Sequence, residues 1–268
     1  MRESPQEVLA RIPDWEKAEC SELHGGLTNR TWLVSVDGRR AVRRAVLKID
    51  ATPRGAPYNS RLAEKTIQTT AAGSGLANRV LYAEECAYLT EYIEGNVWQL
   101  SCLEKDENLD SLAKALRKLH ALPLTRRSFD ALDAARRYSG KIDVGKPDIA
   151  EHCLKIVKKM HAPHNLCCCH NDLVVGNIIT TPDVHFLDWE YACDNDPLFD
   201  LATIVAHHEL TPDRANILLD CYFDGDGKRW RHKLEQQETL YNALVWLWYA
   251  SRAKPDPLTL LAFENRLA

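Results

Sequence analysis

The chain carries no excess of positive charge. Its 34 lysines and arginines stand against 38 aspartates and glutamates, a formal net charge of −4. A nucleic-acid surface needs basic residues in excess and gathered on one face, so that class of partner is set aside. No run of roughly 18 uninterrupted apolar residues occurs, so no membrane span is expected. The opening stretch MRESPQEVLARIPDW lacks the apolar segment of a secretory leader. There is no CxxC pair, no internal repeat and no low-complexity segment. Nine cysteines are present, but Cys167, Cys168 and Cys169 are consecutive and the others lie scattered. That spacing argues against both a disulfide framework and a zinc site. Reduced, mostly buried thiols in a cytoplasmic protein are the expectation. What is there is an ordinary globular mixture, 45% apolar and 27% charged, over 268 residues. That length accommodates two lobes around a cleft.

The pattern changes near residue 95. Before it, residues 1–20 read as a short amphipathic helix, with Val8, Leu9, Ile12 and Trp15 at near-helical spacing. Leu23–Arg30 is rich in turn formers. Thr31–Val36 and Ala41–Ile49 read as strands joined at Asp37-Gly38. A loop rich in Pro, Gly and Asn covers 51–60, and Ser60–Ala72 reads as a helix with Ser60 as its N-cap. Val80–Tyr82 and Ala87–Tyr92 look like strands, and Glu94-Gly95 breaks the pattern. Beyond it, Leu109–Ala121, Ile149–His161, 198–222 and 229–252 are helical patterns. Leu166–His170 and Val184–Leu187 are short strands around a polar loop. The expected fold is α+β: a small β-rich N-terminal lobe over 1–94 and a larger, mainly helical C-terminal lobe over 95–268.

The most informative stretch is His170-Asn-Asp-Leu-Val-Val-Gly-Asn177, followed by Val184-His-Phe-Leu-Asp-Trp-Glu-Tyr191. Oxygen-bearing side chains on loops at strand ends suit a hard cation such as Mg²⁺. Phosphoryl transfer needs such a metal, a carboxylate for the attacking hydroxyl and a positive group on the phosphates. HxDxxxxN followed by an apolar segment ending in Asp is the pairing of catalytic and metal loops found in kinases. On that reading Asp172 is the catalytic base, Asn177 and Asp188 hold the metal, and His170 braces the loop. A loop that merely turns the chain is the bland alternative. Gly25-Gly26 before a strand could cap phosphate oxygens, although a plain hairpin fits it as well. Lys48 is the one charge in the strand Ala45-Val-Leu-Lys-Ile49, and Glu64 on the following helix could pair with it. Each alone fits a surface residue equally. Together they follow the kinase order from Gly loop to metal aspartate.

These residues resemble the choline/ethanolamine kinases, of the bacterial choline kinase type, within the wider aminoglycoside-phosphotransferase and protein-kinase-like group. The resemblance covers roughly residues 22–252. Gly25-Gly-Leu-Thr-Asn29 resembles that family's phosphate loop. Thr90-Glu-Tyr-Ile-Glu-Gly95 resembles its hinge, which implies that backbone groups of Glu91, Tyr92 and Ile93 meet the adenine. Leu187-Asp-Trp-Glu-Tyr-Ala192, Asn195-Asp-Pro197 and Phe199-Asp-Leu-Ala202 complete the match. The resemblance implies a bilobal protein-kinase-like fold, ATP and Mg²⁺ as cofactors, and Asp200 as a structural carboxylate steadying the catalytic loop.

A quaternary ammonium is recognised by aromatic faces and nearby carboxylates. Trp246, Trp248 and Tyr249 sit where choline kinases carry pocket aromatics; at about 100° per residue only Trp246 and Tyr249 share a helix face. Trp189, Glu190 and Tyr191 follow the metal aspartate. Core packing is the alternative for the late aromatics. One departure stands out. Related kinases place a glutamate eight residues after the aromatic position held here by Phe199, and this chain has His207, with Glu209 two further on. The expected activity is phosphorylation of a small amino alcohol, choline or ethanolamine first. A thiamine kinase or another small-molecule kinase of the same fold and, from another class, a catalytically silent kinase-like binding module are the alternatives.

Overall fold

The computed structural model describes residues 3–23, 30–38, 42–52, 60–143, 145–160, 162–163 and 165–267. In chain order the described elements are α1 (Pro5–Leu9), β1 (Glu19–Leu23), β2 (Arg30–Asp37), β3 (Val42–Ile49), α2 (Arg61–Gly73), β4 (Val80–Ala83), β5 (Ala87–Glu91), β6 (Asn96–Val97), α3 (Asp106–His120), α4 (Ala131–Ser139) and α5 (Pro147–Met160). They continue with β7 (Cys167–Cys169), β8 (Ile178–Thr181), β9 (Asp183–Phe186), β10 (Cys193–Asn195), α6 (Pro197–His207), α7 (Pro212–Tyr222), α8 (Arg231–Ala250) and α9 (Pro257–Glu264). Two compact units result. One holds Met1–Val97 with Asn177–Ala192, the other Trp98–Gly176 with Cys193–Ala268. The division differs from the expected 1–94 and 95–268, because the segment with Asn177 and Asp188 clusters with the first unit.

The first unit is built on an antiparallel sheet in the order β1-β2-β3-β5-β4. Alternation decides its faces. Trp32, Val34, Ala45, Leu47, Ile49, Ala87 and Leu89 are buried in one cluster with Val8, Leu9, Ile12 and Trp15. Lys48, between Leu47 and Ile49, therefore projects from the other face. A capping box between Ser4 and Glu7 starts α1, which ends at Leu9 rather than filling the expected 1–20: Pro13 and Asp14, the latter at φ 70°, do not continue a helix, and Glu19 already begins β1. Ser60 caps α2 as its sequence suggests, its side chain accepting from the Ala63 amide. The buried residues of α2, Arg61, Glu64, Ile67, Gln68 and Ala71, form one helix face. A second sheet, β6-β8-β9, belongs to the same unit. Gly95 precedes it because a Cβ there would stand 2.6 Å from the Thr180 carbonyl oxygen.

Among the described residues, the second unit is helical apart from the antiparallel pair β7 and β10 and a single parallel bridge between Ser128 and Asp194. Every residue of α6 from Leu198 to Ala206 is buried, as expected of a helix that is apolar almost all round. The helical pattern over 198–222 breaks after His207, and Thr211 caps α7 with Pro212 in its first turn. No described helix is long and apolar enough to cross a membrane.

Candidate active site

In the first unit, Asn177 and Asp188 stand at the same end of the β8–β9 hairpin. The Leu187 amide donates to the Asn177 carbonyl at 2.8 Å, next to the paired residues Ile178 and Phe186. Asp188 then turns the chain in the left-handed region, φ 62° and ψ 69°, which aspartate tolerates better than most residues. Lys48 Nζ lies 2.8 Å from Asp188 Oδ1. The strand lysine and the aspartate expected to hold the metal, distant in sequence, thus meet.

Glu64, expected as the partner that orients Lys48, is held by a residue sequence reasoning missed. Arg61 is fully buried and donates from Nη1 to Glu64 Oε2 at 2.7 Å. It also grips Asp50 through Nε at 2.7 Å and Nη2 at 3.1 Å. Burial opposes its charge, but Glu64, Asp50 and Glu190 hold the guanidinium above its usual range. An arginine in a first helical turn reads as solvated, so nothing in the sequence marked it.

The hinge residues are partly engaged within the chain. Glu91 donates its amide to the Arg79 carbonyl at 2.9 Å, and its carboxylate pairs with Arg79. The Tyr92 amide donates to the Arg44 carbonyl at 3.1 Å, while Ile93 continues the segment. Gly25, Gly26 and Asn29 lie outside the described residues. Trp189 corrects an expectation: it is 0% exposed, with its indole N–H donating to the Phe186 carbonyl at 2.9 Å. It is a core residue rather than a substrate contact. Glu190 is buried too, and its charge acts on Arg61; Tyr191 is half-buried.

In the second unit, β7 delivers the chain to His170. Asp200, fully buried in the first turn of α6, accepts the His170 amide through Oδ2 at 2.9 Å and the Asn171 amide through Oδ1 at 2.7 Å. Those bonds end β7 one residue earlier than expected. Asn171 turns in the left-handed region at φ 64°, and its Oδ1 accepts from Asn195 Nδ2 at 2.7 Å. The loop that presents half-buried Asp172 is therefore tied down on both sides. His120 Nε2 also reaches Asp200 Oδ2, at 3.1 Å.

The aromatics divide differently from the expectation. Trp246 is 0% exposed, with its indole N–H 3.2 Å from Glu264 Oε1 on α9. It belongs to the core between α8 and α9. Tyr249 is half-buried and stacks on Phe263 with centroids 5.7 Å apart. Tyr241, which the sequence reading overlooked, meets Phe199 and His207 edge-on at 5.5 Å and 5.8 Å. Burial and then the Asp172 carboxylate push both tyrosine hydroxyls upward. Eight residues, just over two helical turns, separate Tyr241 from Tyr249, a spacing that could have linked them. His207 is pushed down to about 4, by burial first and then by His208 and Arg266, so its ring is neutral near pH 7. Glu209 follows the end of α6 at φ 52°, with its carboxylate mostly exposed and 3.8 Å from Arg266.

Residues 19–234 match the model of the phosphotransferase enzyme family. Protein LicA of Haemophilus influenzae (strain Rd) is 30% identical over 223 residues, covering 79% of this chain and 81% of that protein. A second Haemophilus influenzae Protein LicA is 31% identical over 225 residues, 80% of this chain, and the match spans 65% of that relative's length. Among solved structures, choline kinase LicA from Streptococcus pneumoniae is similar with a TM-score of 0.78 at 20% identity, covering 98% of this chain and 95% of that one. A structure of LicA in complex with AMP gives the same score. The fold is thus the protein-kinase-like α+β arrangement that the motifs implied. The chain belongs to the phosphotransferase enzyme family.

Proposed function

We propose that this member of the phosphotransferase enzyme family moves the γ-phosphoryl group of ATP to the hydroxyl of a small cationic amino alcohol, choline or ethanolamine. The observation that carries the reading is the 2.8 Å contact of Lys48 with Asp188, which couples a phosphate-binding cation to a metal-loop carboxylate. Lys48 would hold the α- and β-phosphates. Glu64 acts through position: with Arg61 and Asp50 it ties α2 to the end of β3 that bears Lys48. Asn177 and Asp188 offer oxygen donors alone, which fits Mg²⁺. Bound there, Mg²⁺ would neutralise charge on the β- and γ-phosphate oxygens.

Asp172 would orient the alcohol hydroxyl and accept its proton as the alcohol oxygen bonds to the γ-phosphorus and the bond to the ADP oxygen breaks. Its loop needs little reorganisation, because Asp200 already fixes the His170 and Asn171 amides. A cationic head group is supported by the half-buried ring of Tyr249 together with the negative charge of Asp172, which, after burial, pushes the Tyr249 hydroxyl upward. The imidazole that replaces the usual glutamate is uncharged at neutral pH and adds no repulsion. The solved structure described as choline kinase LicA, which shares its name with the Haemophilus relatives, supports the same acceptor class.

The test is ATP turnover with choline, ethanolamine, thiamine and kanamycin. Turnover with choline or ethanolamine, well above the other two, is expected. Preferred use of thiamine would move the assignment to a thiamine kinase. ATP binding without turnover on any of the four would favour a silent binding module.

A further inference from the structure

We propose that His120, Cys167 and Cys169 form a binding site for one thiophilic cation of the Zn²⁺ class, next to the loop that carries Asp172. One ligand atom from each of the three residues lies within 4.8 Å of the other two. Cys167 and Cys169 alternate around Cys168 on β7, so their side chains share a face. Their sulfurs are 3.5 Å apart. Two thiolates on a tetrahedral zinc stand roughly 3.8 Å apart, so little movement is needed. The third ligand comes from the last residue of α3.

The imidazole is already oriented. His120 Nδ1 is 2.7 Å from the Tyr222 hydroxyl and Nε2 is 3.1 Å from Asp200 Oδ2. Histidine ligands commonly keep a carboxylate on the nitrogen away from the metal, and Asp200 supplies one if Nδ1 binds. Both thiols now point at the Asn195 carbonyl, at 3.7 Å and 3.5 Å, and Cys169 also at that of Asp196 at 3.6 Å. Thiols are weak donors, so releasing these contacts costs little. Binding exchanges two thiol protons, released to solvent, for the two charges of the cation. Sulfur and imidazole donors prefer Zn²⁺ or Cu⁺ to Mg²⁺, so this site would not compete for the metal of Asn177 and Asp188. Cys167 is half-buried and gives the approach, while the His120 side chain is only 5% exposed and Cys169 is buried. The spacing of the cysteines carries no such signal, because the histidine arrives from a distant helix.

Asp200 accepts His120 and also the amides of His170 and Asn171. Capture of His120 would therefore slow turnover as well. That part rests on the proposed function; cation binding itself does not.

The test uses the full chain, reduced. Cd²⁺ is titrated while the ultraviolet thiolate-to-cadmium band is followed, and Zn²⁺ is titrated by calorimetry. One equivalent per chain is expected, weakened about tenfold or more in Cys167→Ser and in Cys169→Ser and retained in Cys86→Ser. Should the serine variants fold poorly, native wild-type protein is alkylated with and without one equivalent of Zn²⁺, and protection should fall on half-buried Cys167, since Cys169 is buried in either case. A full band in the double serine variant, no saturable stoichiometric binding, or protection spread over other cysteines would each overturn the site. With binding established, turnover inhibited by Zn²⁺ and restored by a chelator supports the coupling. Unchanged turnover under stoichiometric Zn²⁺ removes it.

Discussion

Lys48 Nζ and Asp188 Oδ1 stand 2.8 Å apart, a strand lysine from one sheet against the residue that ends the β8–β9 hairpin. Each limits where the other can point. Asp188→Ala should weaken Mg-ATP binding, because it removes one oxygen donor and loosens the lysine. Calorimetry with and without Mg²⁺ reads this directly: the variant should lose most of the Mg²⁺-dependent gain in ATP affinity. Lys48→Met should cut turnover about 10²-fold or more, as loss of a charge aimed at the transferring group does. Equal ATP affinity with and without Mg²⁺ in the wild type would contradict the assignment.

Asp172→Ala should lower kcat about 10²–10⁴-fold, the range associated with loss of a general base, and spare ATP binding. Steady-state kinetics paired with ATP calorimetry separate the two effects. Near-normal kcat would remove Asp172 from the chemistry.

Asp200→Ala should act on the loop rather than on the reactants. It leaves the buried His170 amide without its acceptor, at about 1–3 kcal/mol, and the part-buried Asn171 amide at less than that. A lower denaturant midpoint is expected together with a lower kcat and a modestly changed KM for ATP. Full stability in this variant would mean that other groups hold the loop.

Local rules made most strands of the first sheet legible, and the spacing from His170 to Asp188 marked the candidate site. Ser60 caps its helix, Lys48 breaks an alternating apolar strand, and His170 to Asn177 and Asp188 keep a spacing that few loops share. What escaped depends on tertiary neighbours. Arg61 looks like a surface residue until Asp50 and Glu64 enclose it. Trp246 and Tyr249 share a helix face, but only the position of α9 decides that one is sealed and the other half-open. β1 was missed because its residues are mostly exposed, so the strand has no apolar alternation to read. Residues 177–192 follow the catalytic loop in sequence yet pack with the first unit, a fact of the β6-β8-β9 pairing.

Trp246 and Tyr249 therefore make a contrasting pair. Trp246→Ala should destabilise the protein by about 3–5 kcal/mol through the cavity it leaves. Tyr249→Ala should cost much less stability and raise KM for the alcohol several-fold, leaving KM for ATP near its wild-type value. Thermal melts and two-substrate kinetics check both. An alcohol KM unmoved by Tyr249→Ala would assign this ring to packing alone.

Stability should fall in mild acid because of His208. Its ring is 3% exposed and burial pushes it down to about 4, from an ordinary value of 6.5. The unfolded chain takes up a proton near pH 6.5 while the folded chain still excludes it. Stability is then full above about pH 6.5, declines as the pH drops toward about 4, and levels off below it. The loss is on the order of 3 kcal/mol at most for this residue, and His207, lowered in the same direction, adds to the slope. Urea midpoints between pH 8 and pH 5 measure it. His208→Leu, which cannot take up the proton in either state, should flatten the profile over that interval; an unchanged slope would place the acid sensitivity elsewhere.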